Sequence, residues 1–124
     1  MAAVRAVLFD LDGTLVDSAP DIHAGVAALL VEDGHEPLPF ETVRGFIGNG
    51  VPVLMTRVMA AVGLAPDPAR HAALCARFID RYEHDPGGLT RAYDGVADAL
   101  RGFDLPLGLC TNKPEGPTLA LLAQ

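Results

Sequence analysis

Two short, nearly unbroken apolar runs decide what this chain can fold into. Val4, Ala6, Val7, Leu8 and Phe9 make up the first, which reads as a strand over residues 3–11. The second covers residues 105–110. Runs of this length without polar alternation suit strands of a parallel sheet covered on both faces. Between them the pattern is helical. Ile22, Val26, Leu29 and Leu30 recur at i, i+4, i+7 and i+8, one face of a helix opened by Pro20 and Asp21 and stopped by Gly34. A short helix is predicted over 41–46, then a loop at Gly48-Asn49-Gly50. The spacing predicts further helices over 53–62, with Leu54, Val58 and Ala61 on the apolar face, and over 69–82, with Ala72, Cys75, Ala76 and Ile79 on one face. Residues 94–103 form a short helix with Val96, Ala99 and Leu100 toward a core, and a last helix begins at Glu115.

The order strand, helical insert, helix, strand, helix is that of an α/β protein with a helical segment inserted after its first strand. Three parts follow: 1–18 with the first strand, 19–86 as a helical cap, and 87–124 with the second strand and its flanking helices. Pro86-Gly87-Gly88 is a hinge candidate between the last two. Only two core strands are expected. A doubly wound sheet normally has more, because each parallel strand wants a neighbour on either side.

Composition narrows the function. Half of the 124 residues are apolar, enough for a core, and 9 basic against 16 acidic residues give a net charge of −7. That balance speaks against sequence-independent nucleic-acid binding and against an anionic membrane surface. The longest wholly apolar stretch without Gly is 26–31, far short of a membrane span, and the opening residues do not read as a secretory signal. A cytoplasmic protein is expected. Cys75 and Cys110 form neither a disulfide framework nor a CxxC metal site, and both read as packing residues. Met55 and Met59, at i and i+4, read as core of the helical segment. His23, His35, His71 and His84 are scattered without ligand spacing.

The chemistry-bearing residues lie where the two runs end. Asp10 and Asp12, two apart after the first run, point to one side of an extended chain. Ligands of parallel sheets bind at the carboxyl ends of strands. Two carboxylates there suit a hard cation such as Mg²⁺, or a nucleophile beside a proton shuttle. Gly13 permits a tight turn, and Thr14 offers a hydroxyl and an N–H to a phosphate. After the second run, Thr111, Asn112 and Lys113 supply a hydroxyl, backbone N–H groups and a positive charge to phosphate oxygens.

Phe-Asp-Leu-Asp-Gly-Thr-Leu-Val-Asp-Ser, residues 9–18, resembles the first motif of the haloacid dehalogenase superfamily in its phosphatase form. The resemblance implies an incomplete Rossmann-like core carrying an inserted helical cap. It makes Asp10 the nucleophile that forms an aspartyl-phosphate and Asp12 the general acid/base. It also implies Mg²⁺ held by the Asp10 carboxylate and the backbone carbonyl of Asp12. Asp17 and Ser18 match the same motif. Thr111 matches the second motif, whose hydroxyl binds the transferred phosphoryl group. Thr-Asn-Lys-Pro at 111–114 and Phe-Ile-Gly-Asn-Gly-Val-Pro-Val-Leu-Met at 46–55 are similar to the phosphoglycolate phosphatase branch. That branch implies a small phosphorylated metabolite as substrate and a covering loop at 48–50. Arg44 could meet a substrate carboxylate, though a solvated surface position is the stronger expectation for it.

The family's third motif, a Lys, and its fourth, an acidic pair completing the Mg²⁺ site, do not occur in these 124 residues. Their loss costs several kcal/mol of transition-state stabilisation, so the chain alone is expected to have little phosphatase activity. Two alternatives stand beside the hydrolase. One is a phosphotransferase resembling β-phosphoglucomutase, using the same Asp10 and Asp12. The other is a truncated module that binds without catalysis.

Overall fold

A computed structural model describes residues 2–85 and 88–124. The elements in chain order are β1 (Val7–Phe9), β2 (Val16–Asp17), α1 (Ala19–Glu32), α2 (Phe40–Arg44), α3 (Val51–Ala61), α4 (Pro68–His84), β3 (Arg91–Ala92), α5 (Val96–Arg101), β4 (Leu107–Leu109) and α6 (Glu115–Leu122). The architecture is α/β, as expected. β1 and β4 pair in parallel, with Val7 opposite Leu107 and Phe9 opposite Leu109. The strands are shorter than the apolar runs suggest, because three residues on each side are all that find a partner.

The helical segment closes on itself. Ile22, Val26, Leu29 and Leu30 of α1 meet Val51, Leu54, Met55, Val58 and Met59 of α3 and Leu74, Phe78 and Tyr82 of α4 in one buried cluster. Met55 and Met59 sit in that core, as their spacing predicts. The buried face of α4 differs from expectation. Leu74, Phe78 and Tyr82 point inward at i, i+4 and i+8, while Ala72 and Ala76 are exposed. The rotation follows from transfer energy: burying Leu, Phe and Tyr removes far more apolar area from water than burying two alanines. At the C-terminal end of α3, Ala61 is likewise exposed. Gly25 of α1 admits Phe78 so closely that a Cβ there would stand 3.1 Å from Phe78 Cε2. At the C-terminal end of α1, Glu32 and Asp33 accept hydrogen bonds from Arg77 of α4, and Glu32 also from Arg81. The hydrogen bond from Arg77 is the main influence holding both carboxyls below their usual range.

The strands behave differently. Val4 and Leu8 are both 69% exposed, against the expectation of a strand covered on both faces, and Leu107, Leu109 and Cys110 are exposed too. Among the described residues, β1 and β4 have no neighbour beyond each other. Phe103 alone gives Phe9 an edge-to-face ring contact, at 5.8 Å between centroids. In α5 no residue is fully buried: Val96 and Leu100 are half-buried and Ala99 is exposed, contrary to the predicted core face.

Sequence reading also missed β2 and β3. They pair antiparallel, Val16 opposite Ala92 and Asp17 opposite Arg91, where the chain enters and leaves the helical segment. Asp21, in the first turn of α1 and 5% exposed, locks this junction. Its carboxylate accepts the Leu89 N–H, the Thr90 N–H at 2.7 Å and the Thr90 hydroxyl at 2.6 Å. Of the hinge candidate, Pro86 and Gly87 lie outside the described residues. Among the described residues no helix is long and apolar enough to cross a membrane.

Candidate active site

The parallel register of β1 and β4 brings their carboxyl ends to one edge, and the Cys110 N–H donates to the Phe9 carbonyl at 2.8 Å to hold them level. Beyond β1 the side chains alternate. Asp10 is exposed, Leu11 is buried at 1%, and Asp12 is half-buried. Both carboxylates therefore line one cavity, as their two-residue spacing predicts. Gly13, at φ +78°, then lets the chain turn, and its N–H bonds the Val16 carbonyl.

Asp12 sits in a dense polar contact. Its carboxylate accepts the Ser18 hydroxyl at 2.5 Å and the Lys113 ammonium at 3.1 and 3.3 Å. Ser18 is the N-cap of α1 but makes no side-chain capping bond, so its hydroxyl serves Asp12 instead. The side chains of Lys113 and Asp12 are only 6% and 12% exposed. Lys113 also lies over the ring of Tyr82 in α4, 4.2 Å from its centroid. A cation in that position is attracted by the face of the ring. Asp10 is more lightly held and accepts the Leu11 N–H at 2.8 Å.

Thr111 and Asn112 reach the same cavity. The Thr111 hydroxyl accepts the Lys113 N–H at 3.1 Å, forming the turn into α6. The Asn112 amide donates to the Gly48 carbonyl at 2.9 Å, which ties the loop between α2 and α3 to the strand side. Gly50, at φ +85°, completes this closure: a Cβ there would meet the Asn112 carbonyl oxygen at 3.3 Å. The opposite wall is apolar, made by Ile22, Ile47, Val51, Leu54 and Phe78. The free space between the walls is about 50 Å³, room for roughly one or two waters.

Asp10, Asp12, Thr111, Asn112 and Lys113 thus converge. Gly13 and Thr14 do not line the cavity; the Thr14 N–H bonds the Leu11 carbonyl within the turn at 3.2 Å. Arg44 lies outside the cavity too, paired with Glu41 at 3.3 Å on the surface. Two of the histidines bond backbone carbonyls within the helical segment. His23 bonds the Leu38 carbonyl, and His71 bonds the Pro52 carbonyl. Cys75 packs near His71, and burial pushes its thiol pKa up, away from nucleophilic use. Tyr82 is the site residue that sequence reading missed. The face expected for α4 passes it by, and nothing in its spacing announces a partner in Lys113.

No group of three or more His, Cys, Asp or Glu able to hold a metal occurs among the described residues. The Asp12 carboxylate is engaged by Ser18 and Lys113; the Asp10 carboxylate and the Asp12 backbone carbonyl, which the resemblance implies as Mg²⁺ ligands, both belong to the turn that ends β1.

Comparison with known proteins agrees with this geometry. A family model described as haloacid dehalogenase-like hydrolase matches residues 4–124. A phosphoglycolate phosphatase of Cereibacter sphaeroides is 52% identical over 120 residues, covering 94% of this chain and 55% of the relative. Another, from Rhodospirillum rubrum, is 43% identical over 126 residues, covering 95% of this chain and 52% of the relative. The crystal structure of a predicted phosphoglycolate phosphatase from Haemophilus somnus superposes with a TM-score of 0.82 at 27% identity, over 96% of this chain and 56% of that one. The chain spans about half the length of the curated relatives it matches. With the first motif closing β1, the second closing β4, and a family match over almost every residue, the chain belongs to the haloacid dehalogenase-like hydrolases.

Proposed function

We propose that this chain carries the nucleophile and acid/base of a Mg²⁺-dependent phosphomonoesterase acting on 2-phosphoglycolate. The observation that carries the reading is the convergence of Asp10, Asp12 and Thr111 on one cavity at the carboxyl edge of two parallel strands. An Asp10 carboxylate oxygen attacks phosphorus, and the bond from phosphorus to the ester oxygen breaks. The Asp12 carboxyl delivers its proton to that oxygen, so glycolate leaves neutral at the hydroxyl. Asp12 then takes a proton from water, the water oxygen attacks phosphorus, and the Asp10–phosphorus bond breaks to free inorganic phosphate. Thr111 and the N–H groups around it orient the phosphoryl oxygens. Ser18 and Lys113 hold the Asp12 carboxylate in place. Mg²⁺, held by the Asp10 carboxylate and the Asp12 carbonyl, would neutralise phosphoryl charge.

In this reading residues 19–86 act as a cap over a core built from 1–18 and 87–124. The test is phosphate release from 2-phosphoglycolate with and without Mg²⁺, by the protein expressed from its full coding sequence. Magnesium-dependent release that Asp10→Asn abolishes supports the proposal. Isomerisation of a sugar phosphate without net phosphate release would point to the phosphotransferase instead. The 124-residue chain alone is expected to be nearly inactive, because the charge-stabilising Lys and acidic pair of the family are not among its residues.

A further inference from the structure

We propose that Lys113, seated on the ring of Tyr82, reads the substrate's second anionic group, the carboxylate remote from phosphorus. The inference rests on the phosphatase reading of the same cavity and adds the origin of its specificity.

Lys113 is the one cationic side chain lining the cavity among the described residues; it contacts the Asp12 carboxylate and shares the cavity with that of Asp10. A phosphomonoester that also bears a carboxylate brings further negative charge into this space. Repulsion from the two aspartates must be offset where that carboxylate comes to rest. Position follows from the chemistry. With phosphorus at Asp10, the ester oxygen must lie against Asp12, which protonates it. The rest of the substrate then continues past Asp12 toward its immediate neighbour, the ammonium of Lys113 at 3.1 Å. A chain of one or two carbons bridges that distance. Beyond it the wall from the helical segment is largely hydrocarbon, contributed by Ile22, Ile47, Leu54 and Phe78. Such a wall pairs few hydroxyls, so a hexose phosphate would leave polar groups unsatisfied.

The placement of Lys113 is built rather than incidental. Its side chain is 6% exposed, a depth at which an ammonium requires partners. On one side it has the Asp12 carboxylate, and on the other the aromatic face of Tyr82. The ring keeps the ammonium inside the cavity when a substrate carboxylate competes for it. Tyr82 is itself buried, and its hydroxyl has no hydrogen-bond partner among the described residues.

The test compares kcat/KM for 2-phosphoglycolate with that for 2-hydroxyethyl phosphate, an ester of similar length lacking the carboxylate. The protein is expressed from its full coding sequence. Wild type should favour the carboxylated ester. Lys113→Met should lower that preference about 100-fold, mainly through KM of the carboxylated substrate. Lys113→Arg should restore part of it, which also shows that loss of charge and not misfolding is responsible. Tyr82→Leu, which removes the ring, should lower the preference about 10-fold. If Lys113→Met slows both esters equally and leaves the preference intact, Lys113 serves only Asp12 or the phosphoryl group and the proposal falls. If wild type hydrolyses neither ester with Mg²⁺, the phosphatase reading fails and takes this inference with it.

Discussion

Phe78 in the amphipathic α4 is 4% exposed; Leu8, from the middle of the apolar run of β1, is 69% exposed. The contrast holds across the two halves. The helices meet one another along i, i+4 faces, so 19–86 encloses its own core. A strand can pair only sideways, and β1 and β4 have only each other among the described residues. Yet the side chains proposed to react stand at the ends of these thinly covered strands. Stability and chemistry therefore draw on different residues, the first on the helical segment and the second on the strand edge.

That division can be broken most sharply at Asp10. Asp10→Asn should cut phosphate release by the protein from its full coding sequence on the order of 10⁴-fold, while its thermal midpoint stays unchanged. A fall in the midpoint comparable to that of a core variant would contradict the division. Next comes the core itself. Phe78→Ala should cost about 3–5 kcal/mol in urea unfolding of this chain, whereas Leu8→Ala should change stability by less than about 0.5 kcal/mol. Equal costs at the two positions would show that the strands carry as much of the stability as the helices.

A smaller effect is expected where the halves join. Asp21→Asn replaces one acceptor oxygen with an NH₂ group that cannot serve the Leu89 and Thr90 donors, and should cost about 1–3 kcal/mol. Proteolysis near residue 88 should accelerate with it. The smallest effect belongs to the surface pairs of the helical segment. Glu32 and Asp33 are held below their ordinary values of 4.5 and 3.8 by the arginines beside them. A carboxyl lowered on folding stabilises the folded state above its unfolded value. That contribution is lost as pH falls through the lowered value. Stability should therefore decline as pH drops below about 4.5, less steeply in Glu32→Gln and in high salt. An acid limb identical in the variant would assign the decline to other carboxylates.

The same contrast governs what the sequence discloses. Asp10, Asp12 and Thr111 are legible because each ends a local apolar run, and the geometry they need is a turn of a few residues. The face of α1 is legible because its periodicity is carried by large side chains. The face of α4 is not, since small apolar residues occupy neighbouring positions and only packing decides that Leu74, Phe78 and Tyr82 go inward. The bond from Thr90 to Asp21 joins residues 69 apart in sequence, and that from Lys113 to Asp12 joins residues 101 apart. No local pattern encodes such pairs. Cys110 misleads for the opposite reason: its run looks like core, but what covers a strand is never written in the strand.

The ribbon of β2 and β3 has a consequence of another kind. Because Asp17 faces Arg91 across it, the chain departs and returns at adjacent points, about 5 Å apart for paired strands. Whatever is spliced between them need only begin and finish there. The helical segment is in this sense a cassette. It could be exchanged for a larger or smaller one, or reduced to a tight hairpin turn, without displacing Asp10 or Thr111. On the function proposed above, such an exchange would alter which molecule is admitted while the strand edge that carries Asp10 and Thr111 stayed in place.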